Sequence, residues 1–340
     1  MDRVKMGWDM HAAGSWILRV GENESDRVQF DKWWETADVV ICGERLIQRI
    51  KTRLVRKNQL TFYMSERWWK PPLGMARVLH PRFFWMAYQF CRLAQSPCFH
   101  YLPMGGYAAT DIRRIAAFQG RTWDWGYFTA VPNPLPKCPA CDGTLRILWA
   151  GRMLAWKRVD TLIRAFAVLV GQKPKIHLTL IGDGPCREKV VRLTQKLGIA
   201  DHVEFHSSML AGHVREQMRK AHIYVLPSNA YEGWGAVLNE AMSEGCTVVA
   251  SDGAGAAKSM LRHGENGLLF KQGDHRGLAE LLVQLSADEP LRLRLAKAGQ
   301  KTISDCWSPD VAAERVLAVA DALLSKRAVP EYASGPMARV

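Results

Sequence analysis

The chain has 340 residues, which is too long for one ordinary hydrophobic core and predicts two domains. Apolar residues make up 48% of the sequence and charged residues 23%, the balance of a globular protein. No apolar run approaches the length of a membrane span, about 18 residues, and no apolar signal core follows the N-terminal charges. The sequence therefore indicates neither a membrane-spanning helix nor secretion.

The eight cysteines are scattered through apolar or helical contexts, which favours a reduced cytoplasmic protein over a disulfide framework. Cys138 and Cys141 form the only CxxC pair, and a single pair lacks the other ligands that a structural zinc site needs. We therefore interpret this spacing as a chance feature of a linker, and we expect no metal and no cofactor.

The positive charge is concentrated in one part of the chain. The net charge is +13, and residues 45–92 contain eleven Lys or Arg side chains against one acid, Glu66. Aromatic residues are interspersed with these charges, a combination typical of a surface that contacts anionic lipid. Alternatively, the aromatics form a core beneath a solvated face, or the segment binds single-stranded nucleic acid, the partner we expect least.

The N-terminal half, residues 1–130, shows an irregular alternation of strands and helices. The predicted strands are 38–42, 60–65 and 98–102, with 121–128 as a candidate fourth, and the predicted helices are 43–53, 81–94 and 111–118. Residues 131–144 contain four prolines without an apolar period, which predicts an interdomain linker.

From residue 145 onward the strands and helices alternate strictly. The predicted strands are 146–151, 176–182, 203–206, 223–227, 247–251 and 267–270. The predicted helices are 159–170, 186–197, 211–220, 235–244, 276–285, 290–305 and 309–325. This pattern predicts an α/β domain over 145–305 with a parallel sheet, a closing helix within 306–327 and a flexible tail over 328–340.

The strongest chemical signal is the segment 228–245, SNAYEGWGAVLNEAMSEG, in which a glycine-rich loop follows a strand and leads into a helix. The start of a helix presents unpaired N–H groups that suit phosphate. Glu232 lies in the loop and can face a ligand, whereas Glu240 lies on the helix, where it can accept hydrogen bonds from a ribose. Without this setting, both would be interpreted as ordinary solvated glutamates.

This segment resembles the donor-site signature of the family 4 glycosyltransferases, which have the GT-B fold of two Rossmann-like domains facing a cleft. Two further segments, WAGRMLAWKR at 149–158 and LIGDGP at 180–185, are similar to other motifs of that family and occur in the family's order. The resemblance implies transfer of a sugar from a nucleotide-sugar donor.

The resemblance also implies roles for individual residues. Arg152 and Lys157 would clamp the donor diphosphate, a role that suits a guanidinium fork and an ammonium group. Glu232 would contact the donor sugar and Glu240 the ribose. The remaining implied contacts are backbone N–H groups facing the distal phosphate at Gly235, Ala236 and Val237, and tight turns near the base at Gly182 and Gly184.

The family transfers sugars with retention of configuration, and the resemblance favours front-face attack over a covalent intermediate on Glu232. The sequence contains no Asp-x-Asp triplet. This absence agrees with a metal-independent site in which Arg152 and Lys157 take the place of a cation.

The N-terminal half is similar to bacterial family 4 enzymes of surface polysaccharide synthesis, in the segments 60–70, 100–111 and 125–128. The resemblance implies a lipid-linked or saccharide acceptor. Many family members direct a histidine from this domain at the sugar, whereas here the equivalent strand end reads Tyr-Met-Ser-Glu. Ser65 and Glu66 are our candidates for the acceptor side, with His100 as a rival that we expect to be structural.

The usual first unit of the N-terminal domain, a strand, a glycine-rich loop and a helix, has no counterpart in MDRVKMGWDMHAAG. We therefore expect an incomplete N-terminal domain, and we expect the upstream reading frame to encode the missing unit. Two alternatives to a transferase are a non-catalytic nucleotide-sugar-binding protein and a sugar-nucleotide epimerase or hydrolase.

Overall fold

The computed structural model describes residues 18, 24–43, 46–57, 59–69, 76, 79–115, 117–136, 143–172 and 175–340. Its N-terminal half contains a parallel sheet in the order β1-β2-β3. The strands are β1 Val39–Cys42, β2 Leu60–Ser65 and β3 Phe99–Pro103. The helices are α1 Glu24–Thr36, α2 Ile47–Lys57, α3 Pro81–Leu93 and α4 Gly106–Arg114.

The C-terminal half contains a six-stranded parallel sheet. Its strands are β4 Leu145–Ala150, β5 Ile176–Ile181, β6 Val203–His206, β7 Ile223–Leu226, β8 Thr247–Ser251 and β9 Leu268–Phe270, in the order β6-β5-β4-β7-β8-β9. The helices are α5 Val159–Val170, α6 Arg187–Lys196, α7 Ala211–Lys220, α8 Val237–Ser243, α9 Gly255–Met260, α10 His275–Ala287, α11 Glu289–Asp305 and α12 Pro309–Leu324. Each predicted strand and helix of this half is present, with bounds that differ by at most two residues.

Both faces of the C-terminal sheet are covered, as the alternation of strands and helices predicts. One apolar cluster joins α5 and α10 to the sheet through side chains such as Phe166 and Leu282. The other joins α8, α9 and the end of α11 to the opposite face through Leu238, Ala257 and Ile303. The reversal of strand order between β4 and β7 opens a crevice at their carboxyl ends, the usual ligand position in such sheets.

The N-terminal sheet is also covered on both faces, and one of its covers comes from the far end of the chain. One face carries a cluster that includes Ile50, Phe90 and Phe99. On the other face Phe62 packs in one cluster with Val316 of α12. The closing helix therefore belongs spatially to the N-terminal sheet, although about 200 residues separate the end of the sheet from the start of the helix in the sequence.

The prediction of a flexible tail over 328–340 is wrong for its last residues. The backbone N–H of Met337 donates to the carbonyl of Asp124, and that of Val340 donates to the carbonyl of Thr122. Met337 is fully buried beside Trp123. The tail forms a short antiparallel addition next to 122–125, held by a distant segment rather than by its own sequence pattern.

Four further details of the N-terminal half differ from the sequence predictions. α1 was not predicted, because its first half carries no clear apolar period, and α2 begins four residues after the predicted start. α4 begins at Gly106 instead of 111 and ends at Arg114, since Gly105, with a φ of +97°, sets its start. The candidate strand 121–128 forms isolated bridges rather than a continuous strand.

Residues 131–136 of the linker have no regular structure, whereas Cys138 and Cys141 lie outside the described residues. None of the described helices is long and apolar enough to span a membrane.

Candidate functional site

The candidate site is centred on an ion pair between two loops that follow the adjacent strands β4 and β7. Lys157, at the end of a short 3-10 helix, directs its Nζ to Oε2 of Glu232 at 2.5 Å. Both side chains are largely buried, with exposed fractions of 17% and 13%. The structure therefore brings together two of the three residues that were predicted to act on the donor.

Arg152, the third of these residues, lies on the same loop as Lys157, two residues after the end of β4. Its side chain is exposed, and its carbonyl accepts a hydrogen bond from the N–H of Leu154 within the turn. Arg152 thus stands at the carboxyl edge of the sheet, the edge that Lys157 and Glu232 also occupy. A guanidinium at this position adds positive charge to the crevice.

Glu240 lies in the first turn of α8, close behind the loop that carries Glu232. Burial raises the pKa of its carboxyl, an effect that the neighbouring charge of Arg215 partly opposes. Within the part of the chain that the structure describes, no hydrogen bond to this carboxylate is made. The Glu240 carboxylate can therefore accept hydrogen bonds from the hydroxyls of a ligand, as the predicted ribose contact requires.

The predicted glycines Gly182 and Gly184 allow two loops to pack against each other. A Cβ on Gly182 would lie 2.0 Å from the carbonyl oxygen of Gly151, and one on Gly184 would lie 2.6 Å from that of Met153. Both glycines also have positive φ, at +129° and +153°. Any side chain at either position would push the loop of Arg152 and Lys157 out of place.

The backbone N–H groups of Gly235, Ala236 and Val237 lie where the glycine-rich loop enters α8. Among the described residues none of them has a hydrogen-bond acceptor, because the bonds of this turn begin with the N–H of Leu238 donating to Gly235. The turn is shaped by Gly235, whose φ is +98°. Three adjacent donors are therefore available at the predicted position of the distal phosphate.

The prediction of Ser65 as an acceptor-side residue is wrong. Its hydroxyl is buried, lies 2.8 Å from the hydroxyl of Tyr101 and accepts a hydrogen bond from Nε1 of Trp68. These contacts occupy the hydroxyl inside the N-terminal core, because the strand β2 turns its last residue inward. Ser65 supports the end of β2 and does not face the crevice.

Glu66, the other candidate on the acceptor side, does reach the crevice. Its carboxylate accepts a hydrogen bond from the hydroxyl of Tyr127 at 3.3 Å. It also packs so closely on Gly233 that a Cβ there would lie 2.3 Å from the carboxylate carbon. A carboxylate of the N-terminal half therefore borders the residue that follows Glu232.

His100, the rival candidate, is a buried structural residue. Its Nδ1 accepts a hydrogen bond from Nε1 of Trp123, and its ring packs against Phe62. Burial lowers its pKa to about 4 and keeps the ring neutral. This side chain lies in the core of the N-terminal sheet, as we expected.

Sequence reasoning missed the residues that join the two halves around the glycine-rich loop. Trp234 is buried with its ring directly against Gly126, and its Nε1 donates to Asn239. Asn239 in turn donates to the carbonyl of Tyr127. The resemblance of WGYF at 125–128 was the only signal, since a tryptophan within a donor motif does not indicate what it contacts.

The described residues include no group of three or more His, Cys, Asp or Glu side chains that could hold a metal ion. This edge of the sheet carries the cations of Arg152 and Lys157 and the carboxylates of Glu232 and Glu240. Three backbone N–H donors lie beside them at the start of α8.

A comparison with protein-family models matches residues 139–302 to the family described as Glycosyl transferases group 1. Among curated proteins, the lipopolysaccharide core biosynthesis glycosyltransferase LpsE of Rhizobium meliloti is 31% identical over 207 residues, 61% of this chain and 57% of LpsE. The phosphatidyl-myo-inositol mannosyltransferase of Mycobacterium leprae is 33% identical over 52% of this chain and 46% of that protein. The chain thus spans about half the length of these relatives.

Solved structures match a larger share of this chain than the curated relatives do. The UDP complex of Anabaena HepE superposes with a TM-score of 0.69 over 91% of this chain and 84% of HepE, at 18% identity. The lipopolysaccharide outer core galactosyltransferase WaaB superposes with a TM-score of 0.65 over 89% of this chain and 80% of WaaB, at 20% identity.

At these identities the structural likeness establishes the fold, which is GT-B, and the sequence match establishes the family of the C-terminal half. The predicted resemblance is confirmed: residues 139–302 are a domain of the glycosyl transferases group 1 family, carried on a GT-B fold whose N-terminal sheet has three described strands.

Proposed function

We propose that this chain is a retaining glycosyltransferase that moves a sugar from a nucleotide-sugar donor to a lipid-linked saccharide in surface polysaccharide synthesis. The observation that carries the proposal is the Lys157–Glu232 pair beside the carboxylate of Glu240 and the three free N–H groups at the start of α8. Cations and backbone donors suit a diphosphate, and the two carboxylates suit the hydroxyls of a sugar and a ribose.

The proposed reaction follows from this arrangement. The bond between the anomeric carbon and the diphosphate breaks, the acceptor oxygen attacks on the same face, and the acceptor proton passes to the departing phosphate oxygen. Lys157 and Arg152 neutralise the charge that develops on that phosphate, so that the site needs no divalent cation. Glu232 holds the transferred sugar and faces its developing positive charge, without forming a covalent bond.

The relatives and the structural neighbours support the donor class and the type of pathway. HepE was solved with UDP, and LpsE acts in lipopolysaccharide core synthesis. By analogy we expect a nucleoside diphosphate in the crevice between β4 and β7 and a glycan or glycolipid as the acceptor.

The test of the donor site is a thermal-shift series with UDP-, GDP-, ADP- and CDP-sugars, since a ligand that binds the folded state raises the melting temperature. We expect one nucleotide class to stabilise the protein and EDTA to leave that shift unchanged. NMR of the product made with the stabilising donor then reports the anomeric configuration. An inverted anomeric centre, or a shift that requires a divalent ion, would contradict the proposed chemistry.

We further propose that the protein contacts an anionic membrane surface through α3. Phe84, Trp85 and Tyr88 lie on one side of this helix and are exposed by 67%, 54% and 51%. Exposed Arg82 and Arg92 lie near the two ends of the helix. Aromatic rings between cations suit the boundary between headgroups and acyl chains, the region in which a lipid-linked acceptor would lie.

Other parts of the basic segment have structural roles that do not involve a membrane. Trp68, Trp69 and Phe90 are buried in the N-terminal core. Arg53 is buried and donates to the carbonyls of Trp34 and Ala37. Among the described residues of 45–92, we therefore assign the proposed membrane surface to α3.

A further inference from the structure

The two halves of the molecule meet closely at the loop that carries Glu232. A Cβ on Gly105, just before α4, would lie 2.8 Å from the carbonyl oxygen of Gly233, and one on Gly255 would lie 1.8 Å from the same oxygen. Three glycine backbones therefore touch across the crevice. The structure therefore shows the two halves in direct contact at this loop.

Arg67, the residue after Glu66, makes a polar connection at this contact. Its Nε and Nη2 each lie 3.3 Å from the carboxylate of Asp111 on α4, and its Nη1 donates to the carbonyl of Ala230 at 3.3 Å. Ala230 precedes Glu232 by two residues. A single side chain of the N-terminal half thus holds the donor loop from across the crevice.

Asp111 fixes the position of Arg67. Its side chain is 1% exposed and also accepts a hydrogen bond from the backbone N–H of Trp69. The ring of Tyr107, 4.8 Å from the guanidinium carbon, covers Arg67, and the hydroxyl of Tyr107 donates to the carbonyl of Asp252. A planar guanidinium can bind a carboxylate with two nitrogens and still reach a carbonyl with the third, which an ammonium group cannot do in one orientation.

The other side of the loop is held by the C-terminal half. The N–H of Asn229 donates to the carbonyl of Trp156, next to Lys157, and the N–H of Ala230 donates to Oε1 of Gln272. With Arg67 removed, Ala230 keeps its bonds to its own half and loses the bond to the other. The hydrogen bond from Arg67 to Ala230 can therefore form only when the two halves are closed around the loop.

We propose that Arg67 is a positioning residue that couples closure of the two halves to the placement of Glu232 beside Lys157. The effect on catalysis rests on the proposed function. The effect of Arg67 on the loop does not, because it can be measured without a reaction. The proposed nucleotide contacts at Glu240 and Val237 lie in the C-terminal half, so we expect a change at Arg67 to alter the loop and not the affinity for the nucleoside diphosphate.

The test uses Arg67→Lys, which keeps the charge opposite Asp111 and loses the fork that also reaches Ala230. The matched control is Arg113→Lys, at an exposed position of the same helix as Asp111. Hydrogen–deuterium exchange is measured on peptides covering 228–236 in the full chain without ligand. We expect faster exchange in these peptides for Arg67→Lys, with unchanged exchange in β4 and β5, and no change for Arg113→Lys.

With the donor found in the thermal-shift series and an acceptor in hand, Arg67→Lys should lower kcat by about 100-fold, the effect of a small misplacement of a reacting group, and change the nucleotide Kd by less than about threefold. Unchanged exchange over 228–236 would overturn the inference, as would an unchanged kcat. A wild-type protein without transferase activity would instead sink the proposed function, while the exchange result would still decide the role of Arg67.

Discussion

Lys157 and Glu232 form an ion pair whose members follow two adjacent strands, β4 and β7, and whose charged atoms lie 2.5 Å apart. Because both side chains are mostly shielded from water, each charge depends on the other for its compensation. A bound diphosphate would compete with Glu232 for the ammonium group. The pair therefore keeps Lys157 directed into the crevice before the donor arrives.

We expect Lys157→Ala to slow sugar transfer by about 10²- to 10³-fold, because removal of one preorganised donor at a developing anion has this effect in other enzymes. Initial rates with saturating donor provide the measurement. Lys189→Ala, at an exposed position on α6, is the matched control and should retain full activity. Equal rates for the two variants would remove Lys157 from the mechanism.

From the raised pKa of Glu240 we expect nucleotide binding to depend on pH. Burial raises the pKa of its carboxyl, and the ionised form is the better acceptor for ribose hydroxyls. The affinity should therefore fall as the pH decreases through this raised pKa. Glu240→Gln should bind the nucleoside diphosphate about tenfold more weakly at pH 8, as expected for loss of a hydrogen bond to a charged group.

Isothermal titration of both proteins at pH 8 and pH 5 tests this prediction. The ratio of the two affinities should shrink at the lower pH, because protonation removes the advantage of the wild-type residue. Comparing the two proteins at each pH cancels the titration of the ligand's own phosphate. A ratio that stays constant across this range would show that Glu240 does not contact the nucleotide.

From the burial of His100 we expect the free energy of unfolding to fall in acid. Its pKa is lowered to about 4 by burial, whereas the unfolded chain binds the proton near pH 6.5. The unfolded state therefore takes up this proton first, and stability falls as the pH decreases from 6.5 towards 4. Between pH 7 and pH 5 the loss attributable to His100 is about 2 kcal/mol.

The measurement compares urea unfolding of the wild type with that of His100→Gln, which keeps an acceptor for Trp123. The comparison is necessary because Asp124 is partly buried and desolvation raises its pKa to about 7, so that its contribution has the opposite sign and stabilises the protein as the pH falls over the same range. Its contribution is common to both proteins. A wild type that loses no more stability than His100→Gln between pH 7 and pH 5 would contradict the buried neutral histidine.

The docking of the tail predicts an effect on stability far from the candidate site. Met337→Ala should lower the free energy of unfolding by about 2 to 5 kcal/mol, because it removes a fully buried side chain from the cluster around Trp123. Glu331→Ala, at an exposed position of the same tail, is the control. A mobile tail would give the same unfolding curve for both variants.

The exposed face of α3 predicts membrane binding with an apolar component. The double variant Phe84→Ser and Trp85→Ser should sediment less with vesicles of phosphatidylglycerol and phosphatidylcholine than the wild type does. Leu317→Ser, which changes an exposed apolar residue of α12, should sediment normally. Salt should weaken the binding of all three proteins, since Arg82 and Arg92 contribute through screened charge. Binding that is indifferent to the double variant would exclude α3 as the contact.

The sequence predicted the C-terminal half well, except for the short helix α9, because its other elements each carry their own signal. The strands are short apolar runs, and helices such as α5 keep one apolar face through their whole length. Glu232, Lys157 and Glu240 were found through motifs that lie within single loops or helix starts. Local patterns of this kind do not depend on the rest of the fold.

The N-terminal half was harder to predict because its structure depends on contacts between distant segments. Arg67 and Asp111 are 44 residues apart, and no spacing rule connects them. Ser65 was misplaced because the direction of the last residue of a strand depends on the core that it meets, here Tyr101 and Trp68. The tail was misread because its partner is a bridge segment about 200 residues earlier.

The packing of α12 on the N-terminal sheet has a consequence for synthesis on the ribosome. Phe62 and its neighbours leave the ribosome about 250 residues before the helix that covers them, a delay of roughly 12 to 50 s at ordinary elongation rates. During this interval one apolar face of the sheet has no cover, while the C-terminal half is still being made. Nascent chains of this protein therefore offer chaperones a binding surface that disappears once α12 has docked.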